Sequence, residues 1–282
     1  MPKKQKTVML ADGDIFAFNA ASSSEFVVII DEMYMLAGDM DQAKRKAKAY
    51  MRSVAAEIKA DEIVFVWSCP TRHYWRHDIF PEYKASRSDI RSPLCLKELK
   101  LWLAKEFPSA MKPNMEADDL LGVLATNPKY KPNSKKIVVS ADKDMMTLPV
   151  WQFNPDKDNK PWLQSLEEAN KWHLAQTIGG DTTDGYPGCR GMSVTSAATF
   201  LDDPWLYESY EHTFKSGKRK GETEDRWRKA EPRGTWDNIV SLFIKAGQTE
   251  EDALMNAQMA RICRTEDYDK GKVILWTPEK LK

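Results

Sequence analysis

The chain has 282 residues, with 42 Lys plus Arg balanced by 42 Asp plus Glu, so it can bury one sizeable core with an appended subdomain. The balance excludes a uniformly basic coat protein: any basic surface has to be local and offset by acids elsewhere. Cys69, Cys95, Cys189 and Cys263 lack the close pairing of a zinc site or disulfide scaffold, and no long uncharged apolar run is present, so a soluble chain in a reducing cytosol is expected, without a membrane partner.

Thr7 to Ala11 is a short apolar run ending in Asp12-Gly13-Asp14, the pattern of a buried parallel strand that opens into a functional loop. Glu25 to Leu36 alternates weakly and reads as a hairpin. From Asp39 onward Ala43, Ala47, Tyr50, Met51, Val54 and Ile58 recur at helical spacing. Glu62 to Trp67 is a second core strand. Ser68 to Arg91 is polar, basic and aromatic without a clean period and reads as a working loop, and Leu94 to Phe107 resumes as an amphipathic helix. After a helix that opens at Glu116 comes a third core strand, Lys135 to Ser140. Alternation of strands and helices predicts an α/β fold with a mainly parallel sheet and helices on both faces. Trp151 to Phe153 follows as a strand, and Ser165 to Ile178 as a helix capped by Ser165 with Glu168 three residues on. Gly179 to Leu201 is glycine-rich and then helical. Phe214 to Arg233 reads as a solvated basic insertion, Trp236 to Ala246 and Glu250 to Arg264 as helices, and Val273 to Trp276 as a closing strand or apolar anchor. A division into residues 1–160 and 161–282 follows.

The chemistry is written in acids. Glu116, Asp118 and Asp119 crowd the start of an apolar helix, and Asp12/Asp14 and Asp142/Asp144 follow two core strands. In an open parallel sheet, loops at the carboxyl ends of the strands share one edge, where such folds bind ligands. Two carboxylates roughly 4 Å apart cost on the order of 4 kcal/mol at an effective dielectric of 20, so a cluster demands protons or a cation. Glu116 and Asp119 share a helix face; Asp118 points away unless Glu116 lies in the entry turn. Oxygen-only ligands favour Mg²⁺ or Mn²⁺ over zinc, and carboxylate-held pairs of such ions are the usual equipment for cutting phosphodiesters. Arg72, Arg76, Lys84 and Arg87 would supply cations for the phosphate, with Tyr74, Trp75 and Tyr83 as stacking surfaces. The turn from Gly179 to Met192, which adds Asp181 and Asp184, offers backbone N–H groups to one strand of a duplex without reading its sequence.

Leu10-Ala11-Asp12-Gly13-Asp14, Trp75-Arg76 through Phe80-Pro81-Glu82-Tyr83-Lys84-Ala85-Ser86-Arg87, Glu116-Ala117-Asp118-Asp119, Ser140-Ala141-Asp142-Lys143-Asp144 and the Gly180-to-Gly191 turn occur in the order found in 5′ nucleases of the flap-endonuclease superfamily. The chain resembles most the phage T7-type 5′→3′ exonucleases, through Gly180 to Tyr186 and the tail from Ala260 to Pro278. The resemblance implies a PIN-like nuclease domain followed by a helix–three-turn–helix, two divalent ions, and hydrolysis of duplex, flapped or gapped DNA from a 5′ end by a monomer, with RNA paired to DNA as a further substrate. It would give metal positions to Asp12, Glu116, Asp118, Asp119, Asp142, Asp144, Asp181 and Asp184. Lys84 and Arg87 would polarise the scissile phosphate with support from Arg76, and Tyr83 would stack on the terminal base. Gly188, Gly191, Ser193 and Thr195 would meet the duplex, with a potassium ion at Gly188 to Met192.

Two departures bear on this. Where relatives carry an acid after the second core strand, this chain reads Trp67-Ser68-Cys69-Pro70. In the turn, Ser193 replaces a usual glycine and Thr195 a common lysine. A DNA-binding protein with weakened chemistry and a PIN-type endoribonuclease are the competing readings.

Overall fold

A computed structural model of the protein describes residues 5–87 and 90–281. Contacts divide the chain into two units, the first made of Met1–Asp78, Arg87–Ala169 and Ile262–Ile274. Its central strand, β1 (Thr7–Asp12), is buried along all but its first residue, as an apolar strand flanked on both sides must be. At its end the Asp12 carboxylate accepts the amides of Asp14 (3.1 Å) and Ile15 (3.3 Å), capping helix α1 (Gly13–Ser22). A hairpin of β2 (Glu25–Ile30) and β3 (Met33–Gly38) follows. Helix α2 (Met40–Glu57) is capped by Asp39 and buries Ala43, Ala47, Met51 and Val54, the spacing that the sequence displays.

Next come β4 (Glu62–Trp67), α3 (Leu96–Glu106), β5 (Ser109–Met111), α4 (Ala117–Thr126), β6 (Lys135–Val139), β7 (Trp151–Phe153) and β8 (Trp162–Leu163). The sheet order is β5-β4-β1-β6-β7-β8, parallel throughout except for β8. Side chains alternate across it. Met9, Ala11, Phe65, Ile137 and Val139 pack under α1, α2 and α3. Val8, Leu10, Val64, Val66 and Val138 pack under α4. From β1 the chain builds outward through β4 and β5, then returns to the other side of β1 with β6. The carboxyl ends of β1 and β6 therefore flank the topological switch point, where open α/β sheets bind ligands.

The segment after residue 261 rejoins this unit. Ile262 enters the core beneath α4, and the Cys263 carbonyl lies so near Gly122 that a Cβ there would sit 2.2 Å from it. A single cut after residue 160 does not describe this return, nor the passage of Ile79–Ser86 into the second unit.

That second unit comprises Ile79–Ser86, Asn170–Arg261 and Leu275–Lys282. Its elements are α5 (Leu166–Gly179) from Asn170 onward, α6 (Val194–Asp202), the antiparallel pair β9 (Leu206–Thr213) and β10 (Thr223–Ala230), α7 (Thr235–Lys245) and α8 (Glu250–Ala260). The expected cap of α5 is present, with the Ser165 hydroxyl and the Glu168 amide and carboxylate in reciprocal bonds. Leu174, Ile178, Phe200, Ile239, Phe243 and Trp276 form its core, so Trp276 is the apolar anchor. The basic stretch read as a solvated insertion is a two-stranded ribbon. Both of its faces carry charge, so it lacks the apolar–polar alternation by which strands are recognised. Among the described residues no helix is long and apolar enough to cross a membrane.

Candidate active site

Asp12 ends β1 and Asp142 follows β6 on the neighbouring strand. The Ser140 hydroxyl ties their loops together: it donates to Asp12 Oδ2 (3.0 Å) and accepts the amide of Asp142 (3.1 Å). Asp142 then caps its own short helical turn by accepting the amide of Asp144 (2.8 Å). In each Asp-x-Asp pair, the leading carboxylate thus holds the following amide. The two readings of such pairs, turn cap and metal ligand, are compatible, because a carboxylate has lone pairs for both.

Asp12 is 3% exposed. Burial, then Asp14 and, less strongly, Asp142 push its carboxyl up to about 7, against the lowering effect of the Ile15 amide and the Ser140 hydroxyl. Its hydrogen-bond partners are neutral groups, and its charged neighbours are acids. Asp14 itself lies 2.7 Å from Lys100 Nζ and accepts the Ser68 amide (3.2 Å). Lys100 answers Asp14, so the unmet negative charge is that of Asp12, which protonation or a hard cation would relieve.

The acids of α4 are arranged differently. Glu116 is the N-cap residue and Asp119 lies on the same side of the first turn, as the sequence spacing requires. The cation among them is Arg76, whose guanidinium donates to Glu116 Oε2 (2.8 Å), Asp119 Oδ2 (2.7 Å) and Asp119 Oδ1 (3.0 Å). Asp119 also accepts the Trp75 indole N–H (2.8 Å) and the Cys263 amide (3.1 Å). With four donors on two oxygens and no exposure, Asp119 is saturated by protein. This runs against the expectation that it ligates metal. Arg76, 1% exposed, likewise serves these acids, where the sequence reading had it support a phosphate. Asp118, the next residue before Asp119, is half-buried.

Where an acid was expected after β4, Ser68 Oγ accepts the Ala117 amide (2.9 Å) and completes the N-terminus of α4. Beside it, Cys69 is buried. Burial opposes its ionisation, but the Thr71 hydroxyl and the Thr71 and Asn114 amides hold the thiol below its usual range. Asp14, Ser68 and Cys69 border a cleft of about 410 Å³ whose other walls include Arg72, Tyr74, Lys97 and Lys100. Arg72 adopts a left-handed backbone (φ 55°), and it donates to the Ser92 hydroxyl (3.3 Å). Arg87 is exposed.

In the second unit the Asp181 carboxylate accepts the amides of Thr183 (2.7 Å) and Asp184 (3.2 Å). Asp184 takes the Tyr83 hydroxyl (3.1 Å) and stands 3.6 Å from Lys84 Nζ, and its carbonyl accepts the Lys84 amide (3.0 Å). Lys84 has φ 57°, strained for a residue with a Cβ. Tyr83, proposed as a stacking surface, is 3% exposed, so its hydroxyl positions Asp184 while its ring supports Lys84, 4.8 Å away. Gly180 and Gly188, both with φ 68°, cross so closely that a Cβ on either would meet the other's backbone. The Gly188 amide donates to Asn256 Oδ1 (2.8 Å), and its carbonyl accepts the Gln248 amide (3.0 Å). Gly191 (φ 80°) is unobstructed. Ser193 caps α6 in a reciprocal pair with Ser196, which accounts for a hydroxyl where a glycine was expected. Thr195 is exposed on the first turn.

Sequence reasoning missed Lys100 and the hydrogen-bonding roles of Ser140 and Ser68. Ser140 was legible in part, because a short hydroxyl residue closes β6 two positions before Asp142. Lys100 carries no such signal, since nothing local distinguishes it among the lysines of α3.

Residues 7–161 match the family model of the 5′-3′ exonuclease N-terminal resolvase-like domain. The exodeoxyribonuclease of Enterobacteria phage T3 is 37% identical over 97% of this chain and 93% of its own length. The exonuclease of Escherichia phage T7 is 36% identical, with 97% and 94% covered. Among solved structures, a phage T5 protein co-crystallised with metal ions superposes with TM-score 0.58 at 14% identity, over 90% of this chain and 89% of that one. The phage T5 flap endonuclease in a pseudo-enzyme–product complex with DNA and metal ions gives TM-score 0.58 at 15% identity. At these identities the likeness is one of fold.

Proposed function

The chain belongs to the 5′-3′ exonuclease family, and from that premise we propose that it hydrolyses phosphodiester bonds of duplex or branched DNA from a 5′ end with two Mg²⁺ or Mn²⁺ ions. It is a 5′→3′ exonuclease with a PIN-like α/β fold. One observation carries the metal assignment: Asp12, buried at the switch point, is crowded by Asp14 and Asp142 and pushed up to about 7. An all-oxygen donor set of this kind suits a hard divalent cation. Among the described residues no three His, Cys, Asp or Glu side chains come close enough to hold an ion by themselves.

When bound, the ions would activate a water and stabilise the leaving oxygen. The chain's own residues do the rest. Asp12 and Asp142 provide the first carboxylates, with Ser140 fixing their separation, and Glu116, Asp118 and Asp144 are the further acids of this unit assigned to ions by motif. Arg76, Trp75 and Asp119 lock the start of α4 so that Glu116 and Asp118 are presented in one orientation. Lys84 and Arg87 are assigned to the phosphate by motif, and Asp184, with Asp181 its partner by motif, keeps Lys84 in place. Potassium at Gly188 to Met192 belongs to the same reading, as do action on RNA paired to DNA, a monomeric state and a cytoplasmic location. The second reading, a DNA-binding protein with weakened chemistry, is favoured only by Ser68 and Cys69 standing where relatives carry an acid.

A 5′-labelled duplex separates the two. Release of label with Mg²⁺, abolished by EDTA and by Asp142→Ala, is expected of the enzyme. Tight binding without release under every condition would leave the binding protein, and faster release by Cys69→Asp would place position 69 beside the ions.

A further inference from the structure

The β9–β10 ribbon lies outside all the chemistry above. Eight residues pair on each strand, from Leu206↔Ala230 to Thr213↔Thr223, giving an arm of roughly 26 Å at about 3.3 Å per residue. An isolated two-stranded hairpin is marginal in water, so something must stiffen this one. On one face Tyr210, His212 and Phe214 run edge to face, with centroids 6.4 and 5.2 Å apart. Guanidinium groups cover them: Arg228 over Tyr210, and Arg226 and Arg219 over Phe214. Each arginine is also spent on an acid of the ribbon, Arg228 on Glu208, Arg226 on Glu224, and Arg219 on Glu222 and Glu224. The root is fixed to α7, where the Tyr207 amide donates to Ser241 Oγ (2.9 Å) and Lys245 lies 3.8 Å from the Tyr207 ring.

The tip is different. Residues 214–221 read Phe-Lys-Ser-Gly-Lys-Arg-Lys-Gly and contain no acid. With Arg219 engaged, Lys215, Lys218 and Lys220 remain exposed, and among the described residues no carboxylate stands within ion-pairing distance of them. Phe214, the one apolar residue there, is already covered by Arg219 (3.9 Å). The tip thus offers positive charge without an apolar anchor. Lysine is depleted in protein–protein interfaces, and their energy concentrates in buried aromatic and arginine anchors. Three unpaired lysines on a stiff arm instead match a regular array of phosphates, and a two-stranded ribbon is narrow enough to follow a duplex groove.

We propose that the β9–β10 ribbon is a second, sequence-independent DNA contact, with Lys215, Lys218 and Lys220 bound to duplex phosphates. The assignment rests on the nuclease reading for its partner, though not on catalysis. Binding of the full-length protein to a labelled duplex in EDTA, read by anisotropy across a salt series, tests it. Lys215→Gln/Lys218→Gln/Lys220→Gln should lower the slope of log K against log salt by about 2.7, since each phosphate contact contributes about 0.9. The corresponding triple arginine variant should keep the slope. If the glutamine variant folds poorly, Lys218→Gln alone should lower the slope by about 0.9. A glutamine variant with the parent's slope, from a parent that binds and cuts, would overturn the ribbon assignment and leave the nuclease reading intact. A parent that neither binds nor cuts duplex DNA would remove both.

Discussion

Two groups of acids lie in the same unit and have opposite fates. Glu116 and Asp119 are buried and satisfied, their charge met by Arg76 and, at Asp119, by an indole and an amide. Asp12 is equally buried, but it meets a hydroxyl and two amides and faces two further acids. A buried carboxylate needs a countercharge. Where the fold supplies one permanently the acid becomes structure, and where it does not the acid is left to recruit a proton or an ion. Residue type does not separate the two cases; the position of one arginine does.

The largest effect should come from the group the fold leaves short of charge. Asp142→Ala or Asp12→Asn should reduce metal-dependent release of 5′ label by about a hundred- to a thousandfold, the scale lost when a group that stabilises transition-state charge is removed. Both variants should remain folded by circular dichroism; near-parental rates would break the comparison. Arg76→Ala addresses the other group. It leaves Glu116 and Asp119 buried without their cation, and should cost about 3–5 kcal/mol in urea unfolding. Arg76→Lys should recover little of this, because an ammonium cannot reproduce the forked contact.

Stability against pH sharpens the contrast. The Asp12 carboxyl titrates near 3.8 when unfolded and about 7 when folded, so its protonated form favours the fold. That contribution is complete below pH 4 and is lost as pH rises through 7. At 1.36 kcal/mol per unit, the loss in metal-free protein is on the order of 4 kcal/mol. Asp12→Asn should abolish this dependence, and Mg²⁺ should restore stability in the parent at pH 8. Urea unfolding in EDTA at pH 5 and pH 8 samples about 2.7 kcal/mol of this loss, and equal stability at the two pH values would count against it. The smallest effect concerns the second unit. Tyr83→Phe removes one hydrogen bond to Asp184 and should cost about 1 kcal/mol, with a loss of affinity for DNA smaller than that of Lys84→Ala.

Much of this was legible in the residues. The continuous apolar runs of β1, β4 and β6, alternating with helices, point to a parallel sheet, and a parallel sheet brings Asp12 and Asp142 to one edge. Helical spacing in α2 and the Ser165–Glu168 cap were equally plain. Acids crowded at the start of α4 require a cation, and Glu116 and Asp119 have one in Arg76. What the residues left open was the cation's identity, because the partner lies some forty residues away in a loop without periodicity, and guanidinium and metal answer the same electrostatic need. The β9–β10 ribbon was hidden for a related reason: its strands are held by ion pairs and arginine–aromatic stacking, which leave no apolar period. The return of Ile262–Ile274 to α4 is a long-range contact, for which Gly122 is the only local sign.

The most direct test of the central claim is manganese binding by calorimetry to the parent and to Asp12→Asn and Asp119→Asn, each confirmed as folded. Loss of at least one bound ion in Asp12→Asn, with the parent's ion count kept in Asp119→Asn, is the result expected if the switch-point acids hold metal and Asp119 holds the protein. Undiminished uptake by Asp12→Asn would contradict it.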